Sequence, residues 1–251
     1  MTQRSRTLLA FATLGALHCS DLRRGAYLGR DGLEYVSVPA GDAILGCSTG
    51  CFGPSRFEVP EHIVQISGFR ICRTPVTVEA YRRFALSNHI ALPPPPLQNT
   101  SWSNPDQPIV RVSVSEARSY CSWVGGRLPT GDEWEWSARG GLVGYSYPWG
   151  NLSTEARGNF LSTGPSPVFR FAPNGYGLYD MLGNVLVYTV DGRGQAFLRG
   201  ASWCSGLRPL SSSGPPVGED FQGGANIGLR CIIPAGAPPN PSLQRTRSAR
   251  R

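Results

Sequence analysis

A run of dense motifs between residues 127 and 200 decides the fold of this chain. In order they are Arg127-Leu128-Pro129-Thr130-Gly131-Asp132-Glu133-Trp134-Glu135, Tyr147-Pro148-Trp149-Gly150-Asn151, Asn174-Gly175-Tyr176-Gly177-Leu178-Tyr179-Asp180-Met181, Gly183-Asn184-Val185 and Leu198-Arg199-Gly200-Ala201-Ser202-Trp203. Thr130 and Glu133 have the spacing of a capping box, which predicts that a short helix begins there. Glycine and asparagine recur at turn positions after Gly140, so the remainder is predicted to be loops and short strands.

The composition indicates one loop-rich globular domain. The chain has 251 residues, enough for one large domain with a core of its own. Its 31 glycines and 22 prolines make about a fifth of the residues, which is too many for a helical bundle. The net charge is +7, but part of it lies at the two ends of the chain. Because no aromatic residues interleave with a basic stripe, a nucleic-acid partner is not expected.

Periodicity and capping signals predict the elements that precede the dense motifs. Residues 34–46 are predicted to form a strand, a turn and a second strand. Residues 62–66 alternate apolar and polar side chains and predict a half-buried strand, with residues 69–72 extending the same sheet. Thr77 is a natural N-cap for a first helix, and Ser113 with Glu116 forms a capping box for a second. The residues predicted to face the core are Val78, Tyr81, Phe84 and Ala85 on the first helix and Ala117, Tyr120, Cys121 and Val124 on the second.

The motifs, in this order and spacing, resemble those of the formylglycine-generating enzyme family, also called the sulfatase-modifying factor family. The resemblance covers residues 34–232. It implies an α+β fold, a low-regularity variant of the C-type lectin fold with few short helices, twisted antiparallel sheets and long structured loops. We therefore divide the chain into an export signal (1–19), a linker (20–33), a sulfatase-modifying-factor-like domain (34–233) and a disordered tail rich in proline and arginine (234–251).

The N-terminus resembles a bacterial export signal. Arg4 and Arg6 form a basic stretch, and residues 7–17 form an apolar run too short to span a bilayer. Cys19 lies just after this run, as in a lipoprotein cleavage site, where it would become the lipidated first residue. His18 departs from the small residue expected there, so ordinary cleavage nearby is one alternative and a buried N-terminal helix is another. We expect an exported protein of the bacterial cell envelope or periplasm, with the membrane as a partner through the lipid anchor.

The family's catalytic cysteines are the residues that this chain has changed. The resemblance implies oxidation of a sulfatase cysteine with copper and oxygen, by two cysteines five residues apart that follow a Ser-aromatic pair. Ser202-Trp203 is that pair here, and the two catalytic positions fall on Ser205 and Leu210, or on Cys204 and Pro209 if shifted by one. Two soft thiolates are needed to hold Cu(I) in near-linear geometry, so copper is not expected. Cys204 remains the candidate catalytic residue.

The other cysteines are expected to form disulfides. Six of the seven remain if Cys19 is lipidated or removed, and an even number in an oxidising compartment indicates disulfide bonds. The resemblance implies a structural disulfide between Cys121 and Cys231. Cys47 and Cys51 lie four residues apart and predict a local disulfide, with a metal site that includes His62 as the alternative. Cys72 and Cys204 are left, and if they pair no reactive thiol remains.

The resemblance also places structural calcium in the segment around Gly183. The matching ligands are the side chain of Asp180 and the carbonyls of Gly183 and Val185, all hard oxygens of the kind calcium prefers. The last position usually carries a carboxylate but is Val187 here, so calcium is expected to bind weakly or not at all. The alternative is that Asp180 only accepts hydrogen bonds from backbone amides. A second calcium site of the family begins at Asn159 and lacks its acidic residues here.

Two functions follow from this pattern. The first is a catalytically divergent binding or scaffold protein that recognises a protein, a peptide or a glycan through the region 192–224. The rival is an oxidoreductase of the formylglycine-generating type that acts on a protein or peptide cysteine through Cys204 or an unfamiliar centre. The remaining motif residues are interpreted as scaffold, with arginines bonded to loop carbonyls or to carboxylates such as Glu133 and Asp180. These arginines are Arg127, Arg139, Arg199 and Arg230.

Overall fold

The computed structural model describes residues 27–46 and 61–237, which form three small sheets and three α-helices. The strands are β1 (Tyr27–Leu28), β2 (Glu34–Val38), β3 (Gly41–Leu45), β4 (His62–Ile66), β5 (Phe69–Cys72), β6 (Leu186–Val190), β7 (Ala196–Arg199), β8 (Ser213–Val217), β9 (Ile227–Gly228) and β10 (Ile232–Pro234). The helices are α1 (Val78–Asn88), α2 (Val114–Trp123) and α3 (Gly131–Arg139), and short 3₁₀ turns lie at Leu97–Trp102 and Glu155–Arg157. No helix within the described ranges is long and apolar enough to cross a membrane.

The sheets join distant parts of the chain. The first sheet has the order β1-β2-β5-β10 and is antiparallel throughout, and the second contains β3 and β4. The third has the order β8-β7-β6-β9, in which β6 and β9 are parallel. The prediction that residues 69–72 extend the sheet of residues 62–66 is wrong. Phe69, Ile71 and Cys72 are all buried, and β5 lies between β2 and β10 instead of next to the half-exposed β4.

The helices begin where their capping residues predict. The Thr77 hydroxyl accepts a hydrogen bond from the amide of Ala80 at 3.3 Å, so Thr77 caps α1. The reciprocal hydrogen bonds of a capping box are present at the starts of both α2 and α3. α3 ends at Arg139 and is capped by Gly140, whose φ of +60° is left-handed, and a Cβ there would lie 2.8 Å from the Asn174 side chain. Local sequence thus sets the limits of these helices.

One disulfide closes the domain. Cys121 on α2 is bonded to Cys231 just before β10, at a sequence separation of 110. Both cysteines are fully buried, so the bond ties the last strand to the helix from inside the core. This confirms the pairing implied by the family resemblance.

The domain is longer at both ends than predicted. The predicted linker is wrong over residues 27–33, because β1 pairs with β2 and Asp31 is only 1% exposed. The hydroxyls of Tyr35 and Tyr120 donate to Asp31 Oδ2 at 2.9 and 2.8 Å, and burial raises the pKa of this carboxyl. The predicted tail likewise begins too early, since Pro234 lies in β10 and Ala237 accepts a hydrogen bond from Arg70 at 3.3 Å. The export signal with Cys19, the Cys47–Cys51 pair and the rest of the tail lie outside the described residues.

Candidate functional site

The loop after β7 carries the residues that correspond to the family's catalytic positions. Gly200 opens this loop with a φ of +89°, and a Cβ there would lie 3.4 Å from the Trp134 ring. The amide of Ser202 donates to Ser205 Oγ at 2.9 Å, and the amide of Ser205 donates to the Ser202 carbonyl at 3.0 Å. These reciprocal hydrogen bonds form a tight turn with Cys204 near its tip.

Neighbouring loops hold this turn from several sides. The Trp203 amide donates to the Asn184 carbonyl at 2.9 Å, and the Trp203 carbonyl accepts from the Ser162 amide at 2.7 Å. The Asn226 side chain donates to Ser202 Oγ at 3.2 Å. Asn184 is fully buried, and its side chain bonds Asn159 at 3.1 Å as well as the backbone of residue 166. The Gly183-Asn184 motif therefore positions the turn around Cys204.

Cys204 is an exposed free thiol, and Cys72 is a buried one. Cys204 Sγ lies 3.5 Å from Ser202 Oγ in the loop after β7. Cys72 is fully buried on β5, which belongs to a different sheet from β7. Cys72 and Cys204, for which the sequence leaves pairing open, are not bonded to each other in the structure, because one thiol faces the core and the other faces solvent. The pKa of Cys72 is raised to about 12, mainly by burial and to a smaller extent by the nearby Asp31 carboxylate. Cys72 is thus a protonated core residue at neutral pH.

The two positions that carry thiols in formylglycine-generating enzymes cannot hold copper here. Leu210 is 0% exposed, and its amide donates to the Ser146 carbonyl at 2.9 Å, so this position faces the interior. Ser205 uses its hydroxyl to fasten the turn at Ser202. Under the shifted alignment the second position is Pro209, which has no ligand atom in its side chain. The residues present provide one thiol where a Cu(I) site needs two.

The residues around Asp180 fit a calcium ion poorly. Asp180 Oδ2 is buried and has no hydrogen-bond partner among the described residues. The guanidinium of Arg230 lies beside it and donates to the carbonyls of Tyr179 and Asp180 at 2.5 and 3.4 Å. Val187 is buried and offers no carboxylate, and the described residues contain no group of three or more His, Cys, Asp or Glu side chains placed to hold a metal ion. One carboxylate beside a buried cation is a small part of the six to eight oxygens that calcium takes.

The geometry supports the alternative role of Asp180. Its carboxylate accepts a hydrogen bond from the amide of Phe169, and burial raises its pKa from 3.8 to about 6. Gly183 has a φ of +93° next to the Phe160 ring, and Val185 is buried, so both serve to shape the loop. Asn159, at the second family calcium position, bonds the Asn184 side chain and the carbonyl of residue 164. These residues act as a scaffold for the Cys204 turn.

The motif arginines also act as scaffold, as predicted. Arg127 forms a bidentate pair with Glu133 at 2.7 and 2.8 Å. Arg230 is fully buried and donates to the Cys72 carbonyl at 2.6 Å, which ties β5 to the last motif. Arg139 and Arg199 flank Glu135, a fully buried carboxylate that the sequence did not distinguish from the exposed acids of its helix. The burial of Glu135 is evident only from the structure, where the residue lies on the inner face of α3.

Comparison with known proteins assigns the family. Residues 29–235 match the model of the sulfatase-modifying factor enzyme 1-like domain, so the chain belongs to this family. It is 36% identical over 184 residues to the inactive C-alpha-formylglycine-generating enzyme 2 of Bos taurus, covering 57% of this chain and 60% of that protein. It is 45% identical over 103 residues to the formylglycine-generating enzyme of Thermomonospora curvata, covering 35% of this chain and 34% of that protein. The chain thus spans less than two thirds of either relative.

A solved structure confirms the fold. PvdO from Pseudomonas aeruginosa is similar with a TM-score of 0.70, over 82% of this chain and 95% of that one. The sequence identity is 23%, so this likeness concerns the fold alone. The protein is therefore a divergent member of the sulfatase-modifying factor family, with the expected few short helices and twisted sheets and without the family's catalytic cysteine pair.

Proposed function

We propose that this protein acts by binding a protein, peptide or glycan ligand through the region 192–224, and that it does not oxidise cysteine. The observation that carries this proposal is the burial of Leu210 at the second catalytic position. A side chain that faces the core cannot supply the second metal ligand at this position. The similarity to a relative described as inactive supports the same conclusion.

The region 192–224 is built to present a surface. Arg118 on α2 donates to the Gly194 carbonyl at 2.5 Å and pairs with Glu219 at 3.1 Å, so one side chain ties two turns of the region together. The Gly223 amide donates to the Val112 carbonyl at 3.3 Å. Between these anchors Pro215, Pro216 and Phe221 are exposed. Exposed side chains on loops held by a rigid scaffold are the usual basis of recognition.

A second candidate function is oxidation through Cys204. The thiol is exposed, unpaired and within 3.5 Å of a serine hydroxyl, so it could act together with a thiol of the substrate. This reaction would need the substrate to supply the second thiolate, and it is the rival to binding.

Thiol modification and an oxidation assay on the purified chain separate these two functions. We expect iodoacetamide to modify Cys204 in the native protein and Cys72 only after unfolding, as read by peptide mapping. The protein is then incubated with copper, oxygen and a peptide of the type Cys-x-Pro-x-Arg, and aldehyde formation is followed by mass spectrometry. The proposal predicts no aldehyde. Copper-dependent aldehyde that disappears in the Cys204→Ser variant would establish the rival function.

We also propose that the protein is exported and anchored to the bacterial cell envelope through Cys19. The basic and apolar stretches at residues 4–17 support this, and the Cys121–Cys231 disulfide is of the kind that persists in an oxidising compartment. Membrane fractionation in a bacterial host tests it, with Cys19→Ala as the variant. Release of the variant into the soluble fraction is expected, and equal membrane content of both proteins would contradict the anchor.

A further inference from the structure

A cavity of about 410 Å³ lies between the first turn of α3 and the strands β6 and β7. Gly131 and Asp132 line it from the helix, Asp191 lines it from the turn after β6, and Phe197 and Arg199 line it from β7. Small-molecule sites in proteins commonly have volumes of 300–1,000 Å³. The cavity is therefore large enough for one small ligand and too small for a folded partner. We refer to it as the α3–β7 cavity.

Arg199 presents unused hydrogen-bond donors in this cavity. Its side chain is only 5% exposed, and its Nη1 donates to the carbonyls of Leu210 and Ser211 at 3.4 and 3.2 Å. Its Nε and Nη2 have no hydrogen-bond partner among the described residues. A Cβ on Gly131 would lie 2.9 Å from Nη2 and 3.5 Å from Nε, so the glycine leaves space open beside this edge of the guanidinium. The Nε and Nη2 edge of arginine holds two parallel N–H groups that match a carboxylate.

The charges around Arg199 leave it incompletely paired. Arg139 and Arg199 are both buried and share one buried carboxylate, that of Glu135. Glu135 Oε1 accepts from Arg139 at 2.5 Å and from the Gly46 amide at 2.8 Å, whereas Oε2 lies 3.7 Å from Arg199. Asp132 also attracts Arg199, but its Oδ1 is 3.2 Å from the His62 ring. A buried cation with free donors is stabilised by an anionic partner.

The rest of the cavity carries the opposite charge. Asp132 and Asp191 both line it, and Asp191 uses Oδ1 to accept from the amides of Arg193 and Gln195 at 2.9 and 2.8 Å. Two carboxylates disfavour a polyanion such as a phosphate ester and favour a ligand that also has a positive group. Phe197 supplies an apolar contact in the same space. The cavity therefore combines one anion-binding edge with a cation-attracting wall.

We propose that the α3–β7 cavity binds an amino acid or another small α-amino carboxylate. The ligand carboxylate would accept two hydrogen bonds from Nε and Nη2 of Arg199. Its ammonium group would lie toward Asp132 and Asp191, and its side chain would pack on Phe197. This inference rests on the proposed binding function, since Phe197 and Arg199 belong to the region 192–224 and Asp191 precedes it by one residue.

Calorimetric titration of the full chain tests this inference directly. The probes are the twenty amino acids together with acetate and methylamine, each of which carries one of the two charged groups. We expect at least one amino acid to bind at millimolar concentration or below, and at least about tenfold more tightly than acetate or methylamine. Failure of all twenty to bind the folded protein would overturn the proposal, as would equal binding of acetate.

Variants at residues next to Arg199 locate the binding site. Gly131→Ala places a methyl group 2.9 Å from Nη2 at the first position of α3, so the guanidinium must shift to accommodate it, and we expect affinity to fall at least about tenfold. Gly218→Ala is the matched control, because a Cβ there would meet nothing within 4 Å, and it should bind like the wild type. Asp191→Asn can keep the turn and should weaken the amino acid but not acetate. Unchanged affinity in folded Gly131→Ala would refute the site.

The outcomes also separate this inference from the proposed function. If no amino acid binds and Cys204 forms no aldehyde, the cavity proposal fails while the binding function of the region 192–224 stands. If copper-dependent oxidation through Cys204 is found, the proposed function fails whatever the amino-acid titrations show.

Discussion

Replacing Asp180 with asparagine should stabilise the protein at neutral pH. Asp180 is half-buried, its Oδ2 is buried and has no partner among the described residues, and its φ of +51° is left-handed. Burial raises its pKa from 3.8 to about 6, despite the opposing effects of the nearby Arg230 and of the hydrogen bond from the Phe169 amide. Asparagine tolerates left-handed backbone and retains an oxygen that can accept from that amide.

The sign and size of the effect follow from the pKa. The pKa of Asp180 is higher in the folded state than in the unfolded state. The stability that its protonated carboxyl contributes is therefore fully present below pH 4 and is lost as the pH rises through about 6. A difference of about two pKa units corresponds to about 3 kcal/mol in the free energy of unfolding. The neutral side chain of the variant avoids this loss. We expect the Asp180→Asn variant to exceed the wild type by about 3 kcal/mol at pH 7 and to equal it below pH 4.

Urea unfolding at pH 4, 5, 6 and 7 in the presence of EDTA measures this difference. Asp220→Asn is the control, because Asp220 is exposed and its replacement should leave the stability nearly unchanged at each pH. Lower stability of Asp180→Asn at pH 7 would refute the reasoning and show that attraction to Arg230 outweighs burial. Repeating the wild-type series with millimolar calcium tests the metal expectation. A calcium-induced stabilisation that disappears in Asp180→Asn would contradict weak or absent binding at this position.

Two further predictions concern stability. Replacing both Cys121 and Cys231 with alanine should lower the free energy of unfolding by about 4–5 kcal/mol, because a cross-link that closes a loop of about 100 residues restricts the unfolded chain. Urea unfolding of the variant in non-reducing buffer should match that of the reduced wild type. An unchanged unfolding midpoint would contradict the prediction. Asp31→Ala should lower the free energy of unfolding by about 2–5 kcal/mol, because it leaves the two buried tyrosine hydroxyls that donate to Asp31 without an acceptor. Thermal unfolding measures this loss, with Asp220→Ala at an exposed position as the control. Equal losses in both variants would show that the buried hydrogen bonds contribute little.

The helices could be predicted because their signals are local. A capping residue and its partner are three positions apart, so Thr77, Ser113 and Thr130 marked the helix starts without knowledge of the remaining chain. The order of the strands could not be obtained in this way. Alternating burial shows which face of a strand is covered but not which strand lies beside it, and β5 proved to pair with residues more than 150 positions away.

The role of Asp31 escaped prediction for a related reason. Nothing in the residues around it distinguishes it from an exposed linker acid, and its hydrogen-bond partner Tyr120 is 89 residues away. Arg199 was identified as a motif residue that bonds loop carbonyls, which the structure confirms. Its free edge beside Gly131 became visible only when α3 was packed against β7.

Motif order was sufficient to establish the family, the general fold and the loss of the catalytic cysteine pair, because these depend on residue identity and spacing alone. Tertiary packing decided that Leu210 faces the core, that Cys204 is exposed while Cys72 is buried, and that Asp180 Oδ2 and the Arg199 side chain are buried. Accessibility, pKa and unused hydrogen-bond donors are set by neighbours that come from distant segments of the chain. A linear pattern of residues does not contain those neighbours, and the chemistry available at each side chain depends on them.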